Sequence, residues 1–137
     1  MKDKIIMQCF IPDALRAEIE KQQTELRFKG VTKRASSISA IYIALVKKGI
    51  ERHDDLDATK PMPTYTLGRV RINIPFPTDT RVAINRIAGL AMTQREMVNI
   101  LAWWGVESFT QYIHGLPYAD APAEKIGRPR KQKEASL

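Results

Sequence analysis

Arg69-Val70-Arg71-Ile72-Asn73-Ile74-Pro75 decides how the rest of the chain is read. Polar side chains at 69, 71 and 73 alternate with apolar ones at 70, 72 and 74. A period of two describes a strand with one dry face and one wet face. The wet face carries arginines and an asparagine, whose donors and acceptors fit guanine and adenine edges in a major groove. Taken alone, the run also fits an ordinary half-exposed strand with solubilising cations. A proline closes it, and a helical pattern starts behind.

The unit occurs twice, and that shifts the balance, because each copy of a repeat predicts the other. The earlier copy is Ile5-Ile6-Met7-Gln8-Cys9-Phe10-Ile11-Pro12. Ile5, Met7, Cys9 and Ile11 share one face; Lys4, Ile6, Gln8 and Phe10 share the other. The copies are unequal: the second strand is basic and polar on its open face, whereas the first offers Ile6 and Phe10 there. Those two side chains suit thymine methyls or packing against protein, and packing is the commoner fate of an exposed apolar pair.

A helical stretch follows each strand. Asp13 is placed to cap the first helix, with Leu15, Ile19 and Leu26 on one stripe, and Gly30 ends it. Residues 29–35 read as a connection containing Lys29, Lys33 and Arg34. Ser36 or Ser37 caps a second helix with Ile38, Ile41, Leu45 and Val46 at helical spacing, and Lys47-Lys48-Gly49 reads as its last turn. The stretch from His53 to Thr66 is polar and proline-containing and reads as a linker. Behind the second strand, Thr78 or Asp79 caps a third helix whose core stripe is Val82, Ile87 and Leu90, with Ala83 and Ile84 nearby. Thr93-Gln94-Arg95-Glu96 is a capping box, opening a fourth helix with Met97, Val98, Leu101, Trp104 and Phe109 inside. Trp103, next to Trp104, cannot face the same way. From Gly115 onward, prolines and basic residues replace the pattern, which reads as a flexible tail.

Composition bounds the function classes. With 137 residues and 44% apolar content, the chain is large enough for one core or two very small ones. The net charge of +7 is spread over both halves and the tail and suits a polyanionic partner. No apolar run is long enough to span a membrane. The N-terminal apolar stretch is broken by Gln8, Pro12 and Asp13, unlike a signal peptide, so a cytoplasmic protein is expected. A single cysteine excludes an internal disulfide and a cysteine cluster for metal. His53 and His114 are isolated, and phosphate loops and nucleophile motifs are absent, so neither an enzyme nor a metal or cofactor is expected.

The order strand, helix, helix, linker, strand, helix, helix resembles the ribbon-helix-helix family of the Arc and MetJ type, written twice in one chain. The resemblance covers residues 4–52 and 69–113. It rests on the alternating strands, the proline behind each, the glycine-containing turns and the Ser/Thr-capped second helices. It implies a mostly helical fold in which two strands pair antiparallel as a ribbon over four helices, an intramolecular pseudo-dimer. Copy 1 is residues 1–52, the linker 53–66, copy 2 residues 67–114 and the tail 115–137, with 1–114 folding as one unit. Bacterial cytoplasm or nucleoid follows from the same resemblance, as does comparison with tandem members that act as relaxosome accessories.

By resemblance, the ribbon reads bases. Arg69, Arg71 and Asn73 hold those positions if Pro75 is the anchor; Arg71, Asn73 and Pro75 hold them if Pro77 is. Lys4, Ile6, Gln8 and Phe10 are the first copy's counterparts. Phosphates are expected at the second-helix starts, where free amides and positive potential meet: Lys33, Arg34, Ser36 and Ser37 in one copy, Thr93, Gln94 and Arg95 in the other. In the tail, Lys125, Gly127, Arg128, Pro129, Arg130 and Lys131 resemble an AT-hook core, with Ile126 in place of the usual arginine; minor-groove and phosphate binding are both open to it. The expected partner is double-stranded DNA, with self-association on DNA or a protein partner as further expectations. The alternatives to sequence-specific binding are an assembly module docking a relaxase, toxin or partition protein, and a nonspecific DNA-packing protein.

Overall fold

Two short amphipathic strands cannot bury their dry faces alone, so they pair and lie on helices. A computed structural model describes residues 4–53, 67–90 and 92–117. Within these residues the order is β1 (Lys4–Phe10), α1 (Asp13–Phe28), α2 (Ile38–His53), β2 (Arg71–Pro77), α3 (Thr78–Ala88) and α4 (Gln94–His114). The strands form an antiparallel ribbon running from Lys4 opposite Pro77 to Phe10 opposite Arg71. This is the tandem ribbon-helix-helix topology. Gln8 faces Asn73 across the ribbon, and each lies four residues before the proline that precedes a helix. A pseudo-twofold axis therefore passes through that pair.

Met7 and Cys9 on β1 and Ile74 and Phe76 on β2 point into the core. Beneath them α2 and α4 cross closely. A Cβ on Gly49 would lie 1.9 Å from the Leu101 carbonyl oxygen, and one on Gly105 would lie 2.0 Å from that of Leu45. The two contacts are related by the pseudo-twofold, since Leu45 and Gly49 recur as Leu101 and Gly105. α1 buries Leu15, Ile19 and Leu26 in the core and is tied to α4 by buried Gln22, whose Nε2 donates to the Val106 carbonyl (3.2 Å) and to Thr110 Oγ1 (3.0 Å). Trp104 is buried, and Trp103 is half-buried against the same core.

Several local expectations are corrected. β2 runs from Arg71 to Pro77, not from Arg69 to Pro75. The shift keeps the face alternation but brings Phe76, fully buried, into the strand. Each strand of a two-stranded ribbon has one unpaired edge, where prolines are tolerated. Arg69 and Val70 lie in a bend ahead of the strand, and Val70 is 67% exposed instead of facing the core.

In α3 the buried residues are Thr80, Ile84 and Ala88. Val82 and Leu90 are exposed: the buried residues 80, 84 and 88 share one helical face, Val82 lies on the opposite side, and Gly89, at φ 56°, ends the helix ahead of Leu90. Asp13, Thr78 and Asp79 are not caps: Pro12 and Pro77 hold the N-cap positions, without side-chain bonds, and the aspartates sit in the first turns. α2 continues through Gly49 to His53. Its glycine serves the crossing with α4, not a stop.

The Thr93–Glu96 capping box is present, and Ser37 accepts from the Ala40 amide at the start of α2. Linker residues 54–66 and the tail from 118 onward lie outside the described residues.

Candidate nucleic-acid interface

The pleat places Lys4, Ile6, Gln8 and Phe10 of β1 and Arg71, Asn73 and Pro75 of β2 on the face away from the helices. Lys4, Ile6, Gln8, Arg71 and Asn73 are exposed; Phe10 and Pro75 are half-buried. Across the ribbon the open-face rows are Lys4 with Pro77, Ile6 with Pro75, Gln8 with Asn73 and Phe10 with Arg71. An apolar row thus stands on one side of the two amides, with exposed Lys4 beyond it, and an arginine beside an aromatic ring stands on the other. Arg69 is exposed but lies outside the ribbon.

The second helix of each copy contacts the strand of the other copy, α4 against β1 and α2 against β2. Thr93 Oγ1 accepts from the Glu96 amide (3.2 Å). Arg95, in the first turn of α4, reaches over the ribbon. Its Nη2 donates to Gln8 Oε1 (3.2 Å), and its guanidinium lies 5.2 Å from the centre of the Phe10 ring, a cation–π distance. Gln94 turns the other way, accepting from Arg81 Nη2 (3.0 Å) and donating to Asn85 Oδ1 (3.1 Å). A recess of about 480 Å³ opens between these residues and β1.

The start of α2 differs. Ser36 is fully buried: its hydroxyl donates to the Thr32 carbonyl (2.8 Å) and accepts from Arg27 Nε (3.1 Å), and its own carbonyl accepts from Gln23 Nε2 (2.9 Å). Ser36 thus braces the connection, and Ser37 stands at the helix start. Lys33 and Arg34 are exposed just ahead of it. The tail group Lys125, Gly127, Arg128, Pro129, Arg130 and Lys131 lies outside the described residues.

Behind the ribbon is a buried polar cluster that the sequence pattern does not single out. Asn99 Nδ2 donates to the Phe10 carbonyl (2.9 Å), and Tyr42 donates its hydroxyl hydrogen to Asn99 Oδ1. Cys9 lies beside Tyr42, its thiol donates to the Met7 carbonyl (3.7 Å), and burial pushes that thiol up to about 12. Burial, followed by the neighbouring Cys9, also raises Tyr42 well above its ordinary value. The available signal was a lone asparagine on an otherwise apolar helix face. Its effect is to pin the Phe10 end of β1 to α2 and α4.

No family model, curated protein or solved structure matches this chain. The topology and the ribbon face thus stand on their own, and a β-ribbon flanked by two helix starts is consistent with nucleic-acid binding. Among the described residues, no helix is long and apolar enough to cross a membrane.

Proposed function

We propose that the protein binds double-stranded DNA sequence-specifically, with the ribbon in the major groove, as a repressor or a plasmid or phage DNA-processing accessory factor. One observation carries this reading: Gln8, Asn73 and Arg71 stand exposed in adjacent rows of a two-stranded ribbon, between two helix starts. A major groove about 12 Å wide admits such a ribbon. Arg71 suits guanine, and the amides suit purine edges. Ser37 and Thr93 begin helices whose free amides suit the flanking phosphates. The basic tail adds salt-sensitive affinity. The role is binding, not catalysis.

Exposed Ile6, at 67%, favours a second reading, a protein-docking ribbon. Arg71→Ala separates the two. It is expected to weaken binding to the preferred duplex by about 1–3 kcal/mol and to relax selectivity at one base pair. Fluorescence anisotropy on preferred and scrambled duplexes measures this; equal affinities for both duplexes before and after the substitution favour docking.

A further inference from the structure

We propose that Arg95 sets which base Gln8 reads, making it a guanine reader instead of an adenine reader; this rests on the DNA-binding function proposed above. A glutamine recognises adenine by accepting from its N6 amino group while donating to N7. Here Arg95 Nη2 is 3.2 Å from Gln8 Oε1. A guanidinium has only donors, so the amide is obliged to turn its oxygen towards Arg95 and its NH2 away. The Phe10 ring, 5.2 Å from the guanidinium, holds the arginine in place from the neighbouring position on β1. Arg95 takes one lone pair of Gln8 Oε1, so the face that Arg95 and Gln8 together offer a base is rich in donors. Adenine would bring its amino group against them, whereas guanine offers two acceptors, O6 and N7.

The arrangement exists on one side only. Gln8 and Asn73 face each other across the pseudo-twofold. Arg95 lies two residues past the Thr93 cap; two residues past the Ser37 cap lies Ser39, uncharged and half-buried. Asn73 therefore keeps both its oxygen and its NH2 for adenine. Two chemically similar amides on the pseudo-twofold read different purines, so the centre of the site is asymmetric. Arg95 acts here as a positioning residue, through Gln8, and not only as a phosphate contact of α4.

The test uses the full chain and duplexes carrying each of the four bases at the position Gln8 contacts, located as the position where Gln8→Ala loses discrimination. The wild type is expected to favour guanine over adenine there by about tenfold. Arg95→Ala should abolish or reverse that ratio while leaving the preference at the Arg71 position intact. In a Gln8→Ala background, Arg95→Ala should change overall affinity but no base preference. Equal weakening of all four duplexes by Arg95→Ala would assign the residue to phosphate alone and overturn the proposal. A wild-type preference for adenine at that position would also overturn it, with the DNA-binding reading intact. Absence of base preference at every position would overturn both. Arg95 is exposed, and an unchanged thermal melt of the variant verifies that the fold is not the cause.

Discussion

Asn99 shows how a single side chain holds the ribbon in place. It satisfies the Phe10 carbonyl and the Tyr42 hydroxyl inside an apolar core. Asn99→Leu leaves both without that partner, at an expected cost of about 1–3 kcal/mol for each buried group left unsatisfied; urea unfolding measures it. The same cluster gives the fold a pH dependence. Cys9 and Tyr42 are neutral when protonated, and burial raises both, Cys9 from 9.0 to about 12. Above pH about 9 the unfolded chain releases a proton that the folded chain keeps, so stability is full below that pH and falls as pH rises towards 12. The urea midpoint should decline above pH about 9, with the onset delayed in Cys9→Ala. Only the burial of Cys9 was legible beforehand, from its strand face; the partner of a buried hydroxyl 57 positions away in sequence is a matter of tertiary contact.

At the scale of elements, local chemistry was readable and long-range phase was not. The alternation of β1, the Leu15–Ile19–Leu26 stripe and the Thr93–Glu96 box are each decided within a few residues, and each is found. The end of β2 is not local. Pro75 and Pro77 are both acceptable stops, and the burial of Phe76 selects the second. In α3, Ile84 is buried near its expected stripe, but Val82 and Leu90 are exposed, because packing selects the face of Thr80, Ile84 and Ala88. Gly49 behind two lysines has the look of a helix end until Leu101 is placed against it. The close approach there leads to a prediction: Gly49→Ala and Gly105→Ala each force α2 and α4 apart and destabilise the fold by about 3 kcal/mol, the upper part of the range for overpacking. Thermal unfolding of the two variants should show similar losses, because the pseudo-twofold makes the sites equivalent.

For the whole molecule, the notable property is broken symmetry on a symmetric frame. The helix crossing obeys the pseudo-twofold, with Gly49 and Gly105 exchanging places. The open face does not. Ile6 and Pro75 stand on one side of the central amides, Phe10 and Arg71 on the other, and Arg95 overhangs only β1. One chain carrying both halves lets each half diverge, and a target with unequal halves is the natural counterpart. The measurement that tests this most directly is selection of bound duplexes from a randomised library at near-physiological salt, where nonspecific affinity is weak. The account predicts a recovered motif with unequal halves, purine-specified at its centre and carrying guanine at the Arg71 end. Recovery of random or merely A·T-rich DNA would contradict it and leave the ribbon as an assembly surface.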